Sequence, residues 1–96
     1  MVTEYQKHII LTRKVFIHTP TLTRAQDIFK KLKQLGARTY IINLPLAYKE
    51  FKDQFCLVVE EACIEHCYKS WLIKHEYEDV TKFFINNEPD ENGNLW

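Results

Sequence analysis

Leu22, Ala25, Ile28, Phe29, Leu32 and Leu35 recur at intervals that place apolar side chains on one face of a helix. Thr23, with Gln26 three residues on, offers a capping box to open that helix. Gly36 sits where a C-terminal cap belongs. The opposite face carries Arg24, Asp27, Lys30, Lys31 and Gln34. Upstream, Tyr5 to His18 is rich in Ile, Val, Phe and Thr and reads as a strand. Ile9, Leu11, Val15 and Ile17 fall on one face; His8, Thr12, Lys14 and His18 fall on the other. Arg13 lands on the apolar face, a conflict that a bulge near Thr12-Arg13 or two short strands would resolve. Thr19-Pro20-Thr21 ends the strand.

Thr39 to Leu44 reads as a second strand, with Tyr40, Ile42 and Leu44 on one face and Pro45 as its stop. Strand, helix and strand in that order predict a right-handed β-α-β unit with parallel strands. Two strands make a poor sheet, so Phe55–Val59 or a partner chain has to supply a third. From Leu46 to about His75 neither Gly nor Pro intervenes, and the spacing predicts one long helix, unbroken or broken near Gln54. Phe51, Phe55, Val58, Val59, Ala62, Cys63, His66 and Ile73 share a broad face of it. Leu57, Ile64, Tyr68 and Trp71 form a second stripe, so the helix is expected to be buried on two sides. Tyr77 to Asn86 predicts a short final helix with Val80, Phe83 and Phe84 facing inward. The expected fold is a small α/β domain, with α+β as the near variant, over residues 1–86. Residues 87–96 are acidic and turn-rich, are expected to fray, and close on Leu95-Trp96.

Composition agrees with a single folded domain: 96 residues include six Phe, five Tyr and two Trp. The two glycines are too few for a Gly-rich phosphate loop. The polar start, Met1-Val2-Thr3-Glu4-Tyr5, does not resemble a secretory signal. No apolar run approaches the roughly 20 residues of a membrane span. Three Cys clustered between Cys56 and Cys67 suit a reducing compartment, so a cytoplasmic location is expected.

Charge changes the picture more. Residues 1–50 carry nine Lys/Arg against three acids, a net +6, and residues 51–96 carry four Lys against ten acids, a net −6. A neutral chain sorted in this way can attract a polyanion on one side or a basic protein on the other.

Candidate chemistry is sparse. Cys56, Cys63, His66 and Cys67 contain zinc-type donors, but no C-x2-C knuckle or second Cys/His pair completes a clamp. Cysteines among Glu60, Glu61 and Glu65 lack the cationic surroundings that activate a thiol. The carboxylates near Glu60, Glu61, Glu76, Glu78 and Asp79 read as solvated, and Glu65 with Lys69 as a helical surface pair. The Thr19–Thr23 hydroxyls could hold an anion at a helix start, yet capping explains them. No catalytic residue, metal or cofactor is expected.

Surfaces therefore carry the functional argument. The second stripe and its acidic neighbours, Leu57, Glu61, Ile64, Glu65, Tyr68 and Trp71, suit a protein partner, and a basic one in particular. An unfilled sheet edge also invites strand addition or homodimerisation. The expected role is a non-catalytic adaptor, inhibitor or accessory regulator, and the Lys/Ile/Asn-leaning composition suits a small bacterial or bacteriophage protein. The alternative is a nucleic-acid-binding regulator using Arg13, Lys14, Arg24, Lys30, Lys31 and Arg38, with Tyr5, Phe16 and Tyr40 available for stacking.

Overall fold

A computed structural model of the chain describes residues 2–84. The elements are α1 (Glu4–Thr12), β1 (Val15–His18), α2 (Leu22–Gln34), β2 (Arg38–Thr39), α3 (Leu44–Phe51), β3 (Phe55–Glu60), β4 (Cys63–Tyr68), α4 (Lys69–Lys74) and β5 (Glu78–Asp79). Single 3₁₀ turns follow α3 at Lys52–Gln54 and β5 at Thr81–Phe84. The five strands form one sheet in the order β2-β4-β3-β1-β5. The fold class is α/β, as the sequence pattern indicates.

The β1-α2-β2 unit exists, but its strands do not touch. β1 pairs antiparallel with β3, β3 antiparallel with β4, and β4 parallel with β2. β1 and β2 are thus parallel, split by the inserted β3–β4 hairpin. β4-α4-β5 is a second crossover, travelling the other way across the sheet on the opposite face. The two connections therefore share one hand. Only β3 runs against the other four strands.

The main core lies between the sheet and α1, α2 and α3. Val15, Ile17, Phe55, Leu57, Val59 and Ile64 meet Ile9, Ile10, Ala25, Ile28, Leu32 and Leu44 there. The second face holds a smaller cluster, in which Phe16, Cys56 and Val58 are closed by Leu72, with Cys67, Trp71 and Tyr77 at its margin.

Several expected elements are replaced. The long strand is a helix, α1, followed by the short strand β1, and the break falls at Arg13 where the alternation failed. Thr3 caps α1 by a full capping box with Gln6, at 3.1 Å and 3.0 Å, and this outweighs the β propensity of Ile and Thr. α2 starts earlier than expected, capped by Thr21 rather than Thr23. Gly36 does end it, with φ of +104°. The Thr39–Leu44 strand shrinks to Arg38–Thr39, because Asn43 caps α3 and Pro45 sits in its first turn.

The long helix is the largest correction. Its middle is the β3–β4 hairpin, which supplies the third strand that two strands required. Phe55-Cys56-Leu57-Val58-Val59 suits a strand buried on both faces. Glu61 and Ala62 make the two-residue turn with φ of 53° and 60°. Positive φ at both positions is the geometry that normally selects Asn-Gly. The expected final helix is β5 with its 3₁₀ turn; Val80 and Phe84 are buried and Phe83 partly so, as the pattern indicates. The 87–96 tail, with Leu95-Trp96, lies outside the described residues.

Candidate functional site

The residues singled out as one helical stripe are spread over three elements. Leu57 is fully buried in β3 beneath the helices and cannot meet a partner. Ile64, Glu65 and Tyr68 lie on β4, where Ile64 is buried and Tyr68 is partly exposed. Glu61 is exposed in the hairpin turn. Trp71 belongs to α4 on the opposite face, stacked on His75 at 4.0 Å and packed against Tyr77. The Glu65–Lys69 pair expected of a helix does not form. Four residues along a strand span about 13 Å rather than one helical turn.

β4 itself is the feature that gathers a site. β3 pairs with its whole inner side, Cys63 through Tyr68. β2 covers only Cys63 and Ile64 on the outer side. Ala62 O accepts Arg38 N–H at 2.8 Å there, and Ile64 O accepts the Thr39 hydroxyl at 3.3 Å. Thr39 Oγ1 also accepts Ile41 N–H at 3.0 Å, which turns the chain away from the sheet. Backbone groups alternate sides along a strand, so the N–H and C=O of His66 and the N–H of Tyr68 point outward. No strand among the described residues lies opposite them.

The departing chain leaves a groove of about 560 Å³ beside this edge, between Tyr40–Asn43, α3 and β4. Its rim is apolar and solvent-facing: Ile42 is fully exposed, Tyr40 78% and Leu46 65%. Ile64 and Ala47 line it deeper. Glu50 and His66 add polarity, with Glu50 Oε2 3.8 Å from His66 Nε2, while Glu65 belongs to the opposite face of β4. The His66 ring lies over Phe55 at 5.6 Å and near Phe51, which fixes the inner wall. An edge of unpaired amides beside exposed apolar side chains can receive an extended polypeptide.

The basic candidates are interleaved with acids. Arg13 pairs with Glu78 at 3.2 Å, Lys14 with Glu60 at 3.3 Å and Lys31 with Asp27 at 3.0 Å. Arg38 donates to Glu61 O at 3.4 Å, and Lys33 lies 5.2 Å from the Phe29 ring centre. Arg24 and Lys30 belong to α2, Arg24 in its first turn and Lys30 on its exposed side. The result is a mixed-charge surface in which contacts join the basic and acidic halves of the sequence.

The zinc-type donors are divided by the strand alternation: His66 faces α3, whereas Cys56, Cys63 and Cys67 face the other side of the sheet. Among the described residues no three His, Cys, Asp or Glu side chains gather as a metal site. Burial pushes the Cys56 thiol up to about 12, so it stays protonated and unreactive at neutral pH.

Sequence reasoning missed Ile42, Leu46, Glu50 and His66 as neighbours. The available signal was Asn43 two residues before Pro45, which marks a helix start and frees Tyr40–Ile42 from the strand.

Comparison with protein-family models, with curated proteins and with solved structures finds no match for this chain. Among the described residues no helix is long and apolar enough to cross a membrane.

Proposed function

We propose that the protein is a non-catalytic protein-binding module of the cytoplasm, an adaptor or accessory regulator. In this reading its β4 edge receives an extended segment of a partner. The observation that carries the proposal is the juxtaposition of the uncovered edge at Glu65–Tyr68 with the exposed side chains of Tyr40, Ile42 and Leu46. Backbone pairing to His66 supplies affinity, and the groove selects side chains of the incoming segment. Glu50 in the groove and Glu65 on the opposite face of β4 favour a segment that combines apolar with basic residues. Self-association through the same edge belongs to this reading, since an open strand is complementary to itself.

Selection from a library of short displayed peptides tests the proposal. Enriched sequences are expected to alternate apolar and basic residues. They should bind an Ile42→Asp variant at least about tenfold more weakly, a loss of about 1.4 kcal/mol. Ile42 is fully exposed, so this change leaves the fold intact. Enriched peptides that bind both proteins equally would remove the groove from consideration.

A further inference from the structure

We infer that a second copy of this chain docks on the β4 edge, antiparallel, with Cys67 opposite Cys67 of the other copy. The inference rests on the proposed binding edge and names its occupant and register.

Backbone parity restricts the choices first. Ala62 O faces β2, so the even-numbered residues of β4 turn their backbone groups outward. Two such edges can exchange hydrogen bonds only with even residues opposite even residues. A two-fold axis then passes beside His66, Cys67 or Tyr68. Centring on His66 sets Ile64 opposite Tyr68, but Thr39 already occupies the edge at Ile64. It also sets two imidazoles side by side. Centring on Tyr68 runs each strand into the partner's α4, which begins at Lys69.

Centring on Cys67 leaves the Thr39 contact at Ile64 clear and reaches α4 only at its first residue, Lys69. His66 then lies opposite Tyr68, so the Tyr68 N–H of each copy meets the His66 C=O of the other. Glu65 lies opposite Lys69, twice by symmetry. Neither residue joins an ion pair within the chain, among the described residues. The register therefore gives opposite charges to each other and places no like charges face to face. Tyr40, Ile42 and Leu46 flank the joined strands on both sides. Cys67 occupies a non-hydrogen-bonded position, where facing residues come closest. It is also more accessible than the buried Cys56 and Cys63.

Sedimentation velocity across a concentration series, combined with copper-phenanthroline oxidation, tests this. The expected result is a reversible dimer that oxidation traps as one covalent species. Cys67→Ser should abolish the trapped species, whereas Cys63→Ser should retain it. Glu65→Lys should weaken the dimer at least tenfold, and Glu65→Lys combined with Lys69→Glu should restore it. A monomer at every concentration, a dimer that Cys67 does not trap, or failure of the charge swap to restore association overturns the inference. If displayed peptides still depend on Ile42 in that case, the binding edge survives without the second copy. If they do not, both readings fall together.

Discussion

The two edges of the sheet solve the same problem in opposite ways. On the β1 edge outward backbone groups from Lys14 to His18 are taken up by the chain itself. Lys14 O accepts Glu78 N–H at 3.0 Å, Phe16 O accepts Val80 N–H at 2.9 Å, and His18 N–H donates to the Thr81 hydroxyl at 2.9 Å. β5 carries Glu78 and Asp79, whose charges discourage a further strand. Val80 and Phe84 then lock the covering segment into the core. On the β4 edge β2 stops after two residues, and the chain leaves apolar side chains in solvent. A protein that can close one edge in this way has the means to close the other. On the proposed reading the first edge carries stability and the second recognition.

Phe84→Ala should expose the difference most strongly. It removes a buried ring from the segment that covers β1 and should cost about 3–5 kcal/mol in urea unfolding. Ile42→Asp on the open edge should stay within about 0.5 kcal/mol in the same assay. Equal losses at the two positions would break the assignment. Next in size is the hairpin turn that presents β4. Replacing Glu61-Ala62 by Asn-Gly relieves two left-handed residues without touching either edge and should raise stability by about 1–2 kcal/mol. A smaller effect is expected of Thr81→Val, which deletes the hydroxyl that accepts from His18. The loss should be near 1 kcal/mol, read as a lower urea midpoint at unchanged slope. Thr81→Ser should recover it.

α2 was legible in the sequence because its apolar period and Gly36 agree, although its cap is Thr21 rather than Thr23. The inward set Val80 and Phe84 was legible too, although in a 3₁₀ turn rather than a helix. The hairpin was not. Its turn lacks the Asn, Asp or Gly that announces positive φ, and Glu61-Ala62 continues a helical composition. The continuous apolar run of β3 carries no alternation, so periodicity cannot separate it from a buried helix. Once read as helix, Glu65, His66 and Tyr68 acquired the wrong neighbours. An open edge was anticipated only in general terms, from the shortage of strands. Its location depended on Thr39 and Asn43 diverting the chain, and those are hydrogen bonds of single side chains rather than a pattern.

The split between β1 and β2 has a consequence for a chain emerging from the ribosome. When the first fifty residues are out, β1, α2 and β2 exist in sequence, yet no two strands among them are neighbours. The apolar faces of α1, α2 and α3 have no completed sheet to cover them. Nothing can pair until β3 arrives beside β1; β4 must then fill the rest of the gap, and β5 must follow to close the far side. Synthesis from N- to C-terminus thus holds the first helices and strands unpaired until the later strands have been made, and assembly then proceeds from the middle of the sheet outward.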